Sequence, residues 1–220
     1  DKGSYGKLIE KYYFNFNPNS AAEPDFPKAG LELKCSPLKT LKRGDYRSKE
    51  RLVLNIINYL DVHKEKFESS SFWKKNSHLL LIFYLYDFNL NILDYSVKLV
   101  DDWKFPLEDL LIIKRDWEKI NSQIKVGKAH EISEGDTFYL GACTKGETAE
   151  KSLRKQPFNK LPAKQRAYSL KQGYVNHIIA SISRNEKEEF GKIIKQPEYF
   201  DAIISIEDIV TSKFQPFYGK

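Results

Sequence analysis

The sequence predicts a mixed α/β (α+β) fold with a central mixed β-sheet flanked by helices, and three observations lead there. Short apolar runs rich in β-branched and aromatic residues recur at 52–58, 79–86, 96–100 and 138–142, the pattern of buried strands. Segments carrying helix periodicity or helix punctuation stand between and after them, at 2–15, 106–125 and 162–182. The two kinds do not alternate as regular βαβ units, so the sheet is not expected to be wholly parallel. With 220 residues, 41% apolar and 30% charged, the chain can bury one sizeable core.

Each element has a local reason. Over 2–15, Tyr5, Leu8, Ile9, Tyr12 and Tyr13 fall on one side at helical spacing. Asn15 to Pro27 is rich in Asn, Pro and Ser and reads as a loop. Ala29 to Ser36 alternates as a strand: Leu31, Leu33 and Cys35 leave one face, Glu32 and Lys34 the other. Over 106–125, Pro106 opens a helix, Glu108 and Asp109 suit its positive end, and Gly127 follows its close. Pro162 to Ile182 is read as one further helix, and no internal repeat or low-complexity tract interrupts the chain.

Composition narrows the function classes. No apolar run approaches the ~18 residues that span a bilayer, and no signal-peptide pattern opens the chain, so a cytoplasmic protein with no membrane partner is expected. The absence of any methionine suggests a segment of a longer polypeptide. Cys35 and Cys143 are far apart and read as free thiols, while His63, His78, His130 and His177 lack the spacing of a zinc site. Net charge is +6, and it is concentrated. Between Lys145 and Val175 eight basic residues face only Glu147 and Glu150; Lys34 to Arg51 adds seven more against Asp45 and Glu50. Two such stretches side by side would make a polyanion-binding face, although a solvated surface explains them as well.

Glu32 and Lys34, two apart on one strand, share a face, and Asp25 on the preceding loop can return to the same edge. Carboxylates of this kind hold Mg²⁺ with positions left for water and phosphate, and a nearby lysine can orient or deprotonate the attacking water. The spacing alone does not decide, because Asp94 with Asp102 and Lys104 repeats it.

The surrounding text decides. DKGSYGKLIE, PDFPKAGLELKCSPL, SKERLVLNIINY, DTFYLGACTKGETAEKSLR and AKQRAYSLKQGYVNHII, in that order, resemble the MutH-type mismatch-repair endonucleases. They resemble still more the type II restriction enzymes that cleave at GATC, within the PD-(D/E)xK nuclease superfamily. The resemblance covers most of the chain and implies a restriction-endonuclease-like core. It makes Asp25, Glu32 and Glu10 metal ligands for Mg²⁺ and Lys34 the catalytic lysine. It adds Lys75 as a further active-site lysine, with Lys74 as the alternative.

Lys145 matches a lysine of the family's DNA-reading loop. Lys151, Arg154 and Lys155 would hold phosphates, and Lys171 and Tyr174 lie in a second contact region, with core packing an equal alternative for Tyr174. Ser169 stands where the repair enzymes carry a tyrosine thought to sense adenine methylation. The C-terminal SIEDIVTSKFQPF again resembles the restriction branch.

The expectation is therefore a single endonuclease catalytic domain over 1–220, with an active-site core at about 1–134, a DNA-reading lobe at about 135–183 and an extension at 184–220. Its expected activity is Mg²⁺-dependent hydrolysis of double-stranded DNA at GATC, 5′ of G, leaving a 5′-phosphate. A second related domain or a dimer partner is the expected companion. The alternatives are a MutH-type nicking enzyme and a DNA-binding module without turnover.

Overall fold

The computed structural model describes residues 4–15, 23–42, 44–146, 148 and 151–194, with only the helical backbone described over 186–194. Glu147, Glu150, part of the 15–27 loop and most of the 184–220 extension lie outside the described residues.

The opening segment is helical from the first described residue, as its periodicity suggests, but changes type along its length. Helix α1 (Ser4–Leu8) passes into a π-helical turn, Ile9–Tyr13, which carries Glu10. Single π turns are frequent at functional sites, because the extra residue re-aims the side chains it contains. Strand β1 (Glu32–Thr40) begins after a turn in which Gly30 adopts φ +63°. The Phe26–Leu31 bridge closes that turn and brings Asp25 back to the start of β1.

Strand β1 lies in a four-stranded mixed sheet with β2 (Tyr46–Ser48), β4 (His78–Leu85) and β5 (Val97–Lys104), in the order β2-β1-β4-β5. The β1–β4 pair is parallel; the other two pairs are antiparallel. A second, antiparallel sheet has β9 (Arg166–Leu170) between β3 (Leu52–Ile56) and β6 (Leu140–Thr144), and β7 (Leu153–Gln156) pairs with β8 (Asn159–Lys164) as a hairpin. Short helices α2 (Tyr59–Val62) and α3 (Ser71–Asn76) and the long α4 (Leu107–Lys125) and α5 (Gln172–Ile194) complete the fold. Pro106 caps α4 as its sequence suggested.

One expectation fails here. Residues 162–182 are not a single helix: they close β8, form all of β9 and only then enter α5. The reason is that Ala167, Tyr168, Ser169 and Leu170 are all buried, because β9 is a central strand covered on both faces. A strand covered on both faces loses the two-residue alternation that marks a half-exposed one.

The register fixes which residues share a face. Glu32 pairs with Leu79 and Lys34 with Leu81, and Leu79 pairs with Trp103. Leu79, Leu81 and Trp103 belong to the main core, together with Ile113, Trp117 and Ile178. Leu31 and Leu33 pack on the other face with Leu80 and Ile82. Strand β1 is therefore apolar-anchored from below, as its alternation required, while Glu32 and Lys34 sit at the rim of the larger core. Glu32 is 2% exposed and not on a wet face.

Candidate active site

Asp25 and Glu32 are tied to each other's backbone. The Asp25 N–H donates to Glu32 Oε2 at 3.1 Å, and the Leu33 N–H donates to Asp25 Oδ2 at 3.0 Å. Because the two acids are seven residues apart across a closed turn, this half of the site is a local structure. Lys34 Nζ donates to Glu32 Oε1, and Lys75 Nζ stands 3.7 Å from the same oxygen. Helix α3 delivers Lys75, which also donates to the Glu23 carbonyl at 3.2 Å. Lys74 is exposed and pairs with none of these groups, so the geometry prefers Lys75.

Burial raises the pKa of Glu32, with Lys34 opposing the shift and Asp25 adding to it. Glu10, on the π turn, is also raised, first by burial and then by Asp25, with Glu32 adding and Lys34 opposing. Four side chains, from α1's π extension, the 23–31 turn and β1, thus share one electrostatic neighbourhood. Cys35 lies in it too, but burial pushes its thiol up to about 12, so it stays protonated and is a poor ligand.

Among the described residues no three His, Cys, Asp or Glu side chains form a ready-made metal cage. A hard cation that keeps most of its waters needs no such cage: Mg²⁺ is held by one or two carboxylates plus substrate oxygens. Asp25 and Glu32 supply that donor set at adjoining positions, with Glu10 in reach of their field. The residues fit a hard divalent cation and do not fit zinc.

The rival set is placed elsewhere. Asp102 pairs with Leu80 and Lys104 with His78, so both leave the opposite face of the sheet from Glu32 and Lys34. Asp102 is exposed and sits 3.2 Å from His78 Nε2.

Lys34 opens onto a cleft of about 870 Å³ that runs between the two sheets. Its walls include Arg51, Glu134, Lys145 and Arg166. Lys145 and Lys34, far apart in sequence, thus face one groove. Lys151, Arg154 and Lys155 are exposed on the β7–β8 hairpin and its approach, and Arg154 Nη1 donates to the Lys151 and Leu153 carbonyls at 2.9 Å each.

Two expected DNA contacts are engaged inside the protein. Tyr174 is 2% exposed, stacks on Tyr139 with ring centroids 4.2 Å apart, and donates its hydroxyl to Asp109 Oδ2 at 3.0 Å. Lys171 donates to the Glu134 and Thr137 carbonyls, and burial lowers its pKa. Ser169 is buried in β9, paired with Gly141.

The sequence reading missed Asp116. Its carboxylate, buried on α4, accepts from the N–H groups of Phe138, Tyr139 and Leu140 at 2.9, 2.6 and 2.8 Å, and so fixes the entry to β6. A charged residue at a position where helix periodicity calls for an apolar one, between Ile113 and Ile120, was the available signal.

A strand-borne acid and lysine, an acid returned by a tight turn and a second lysine, all beside a basic cleft, define the site type of metal-dependent phosphodiester nucleases. The comparisons agree. The profile of the DNA mismatch repair enzyme MutH matches residues 14–116. A protein of Staphylococcus aureus named type II restriction enzyme Sau3AI is 48% identical over 219 residues, covering 98% of this chain and 44% of that protein. The DNA mismatch repair protein MutH of Vibrio campbellii is 26% identical over 196 residues, covering 86% of this chain and 82% of that protein. A MutH protein of Shewanella woodyi is 28% identical over 133 residues, or 60% of this chain and 55% of its own length. The chain belongs to the MutH-like endonuclease family. It spans less than half the length of the restriction enzyme it matches.

Proposed function

We propose that this chain is the catalytic domain of a type II restriction endonuclease that hydrolyses double-stranded DNA at GATC, 5′ of G, with Mg²⁺. The observation that carries the reading is the joint placement of Asp25, Glu32, Lys34 and Lys75, with Lys34 opening onto a cleft that Lys145 also lines. The 48% identity along almost the whole chain supports restriction over repair. So does Ser169, which stands buried where the repair enzymes carry a tyrosine.

In this reading Asp25 and Glu32 hold the cation, with Glu10 as a third acid near it. A bound Mg²⁺ supplies charge neutralisation at the phosphate and a more acidic water. Lys34 Nζ, already fixed on Glu32, orients the attacking water and takes part in its deprotonation. Lys75, on the same carboxylate from α3, stabilises the negative charge gathering on the phosphate oxygens. Lys145 donates to a guanine edge, and Lys151, Arg154 and Lys155 hold phosphates and set register. Lys171 and Tyr174 act indirectly, by holding the loop and the helix behind the reading strand.

The expected setting is the cytoplasm. A second related domain or another copy of the chain would complete the cut, since two strands need two sites or two visits. No helix among the described residues is long and apolar enough to cross a membrane.

The test incubates a duplex carrying one GATC, and a scrambled duplex, with the protein and Mg²⁺. Cleavage confined to GATC is expected, lost in Lys34→Ala and Lys75→Ala and kept in Lys74→Ala. Equal cleavage of both duplexes, or of neither, would sink the reading. Counting cut strands on a hemimethylated duplex separates it from the repair reading, for which one methyl-dependent nick is the outcome.

A further inference from the structure

The cleft is not uniformly basic. Glu50 and Glu134 both line it, and Glu134 pairs with Arg51, which immediately precedes β3. An acid placed among Lys34, Arg51, Lys145 and Arg166 opposes the approach of any polyanion.

Glu134 is held there by several independent contacts. Its own carbonyl and that of Thr137 accept from Lys171, and Asp116 grips the three amides that follow. Ser133 and Asp136 close a capping box around the same turn. Arg166 is committed in the same region, donating to the carbonyls of Ala142 and Ile132. Arg51 differs, because its charge is answered by the Glu134 side chain in the same cleft. The two side chains are 42% and 37% exposed, so salt screens the pair even though its contacting oxygen, Glu134 Oε1, is shielded.

We propose that Arg51 is a phosphate-contacting residue of the DNA cleft and that Glu134 is its internal counter-ion, occupying Arg51 until a DNA phosphate takes its place. The idea rests on the DNA-cleaving function proposed above. A guanidinium exchanges one anionic oxygen pair for another without reorganising its planar donors, which suits Arg to such a hand-over. Glu134 then weakens sequence-independent binding, which is almost wholly electrostatic, and limits how long the protein is held on DNA that lacks its site.

The experiment measures binding of a fluorescent duplex without GATC to the 220-residue chain, by anisotropy in chelator, over a range of salt. Four proteins are compared with the parent: Glu134→Gln, Arg51→Gln, the double variant and Arg51→Lys. Glu134→Gln is expected to bind several-fold tighter. Arg51→Gln is expected to bind several-fold weaker, with a salt slope shallower by about one phosphate contact. The double variant should bind like Arg51→Gln alone, and Arg51→Lys should keep the parent slope.

If the gain from Glu134→Gln persists in full without Arg51, Glu134 merely repels DNA and the pairing is overturned. An unchanged slope in Arg51→Gln overturns the phosphate contact. A parent protein that binds no duplex at all sinks the DNA-cleaving function itself, and this proposal with it. Both positions are partly exposed, and matched melting curves establish that each variant is folded.

Discussion

Glu32 shows how one side chain can be placed for chemistry at a cost to folding. Its pKa lies above that of an ordinary glutamate because burial penalises the charged form more than Lys34 and Lys75 favour it. As pH rises through the ordinary range, the unfolded chain ionises first, so stability falls across the window between the ordinary and the raised value and stays lower above it. Glu32→Gln removes that penalty. The variant is expected to lose at least about 100-fold in cleavage rate while melting at the same or a higher temperature at neutral pH. Thermal melts in chelator, beside single-turnover cleavage, check this. A variant that melts clearly lower at neutral pH would contradict the assignment of Glu32 as a strained group.

Alternation along 29–36 was enough to put Glu32 and Lys34 on one face, and it did so correctly. It could not tell how deep that face lies, because depth is set by Leu79, Leu81 and Trp103 on other strands. Only the resemblance preferred Lys75 over Lys74, because it is the direction of α3 that separates them in space. Arg51 and Glu134 are far apart in sequence, and only the folded chain brings them to one cleft.

At the scale of elements, the turn from 132 to 140 matters most, because it carries Glu134 and leads into the reading strand β6. Asp116 bonds three successive amides there. Asp116→Ala strips a charged acceptor from buried donors and is expected to cost about 3 kcal/mol. Urea unfolding should show the midpoint falling, and a loss under about 1 kcal/mol would mean that water replaces the carboxylate.

Gly146 makes a similar case next to Lys145. Its φ is +127°, and a Cβ there would come within 2.5 Å of Ser152 Cβ. Gly146→Ala is expected to shift the Lys145 loop, relax discrimination between GATC and near-miss duplexes and lower the melting temperature, because an L side chain is strained at that φ. A cleavage panel of single-base variants checks it.

The helix expected over 162–182 failed because β9 is covered on both faces, which erases the alternation. Where alternation survives, as in β1, or a short apolar run marks the strand, as in β4, the sequence was readable. In β9, burial on both faces leaves a composition like that of a buried helix segment. The π turn at 9–13 was equally invisible, since one extra residue per turn leaves the apolar pattern almost intact.

For the whole molecule, two sheets with charges turned toward one groove imply a strong ionic contribution to binding. If Arg51, Lys151, Arg154 and Lys155 make about four phosphate contacts between them, affinity should fall roughly a hundredfold between ~50 and ~200 mM salt. A nearly flat dependence would place the DNA elsewhere. The order of the family's motifs along the chain carried the placement of this groove, because charge composition alone left a solvated surface equally open.

The reciprocal bonds of Asp25 and Glu32 have one more use. Each carboxylate holds a backbone amide of the other's neighbourhood, the Asp25 N–H on Glu32 and the Leu33 N–H on Asp25. Those two protons are built-in reporters. A cation drawn to either acid withdraws electron density from the oxygen that the amide touches, so their ¹H–¹⁵N resonances should move together during a Mg²⁺ titration. The site can thus be watched filling in the DNA-free, ¹⁵N-enriched protein, with no turnover and no altered residue.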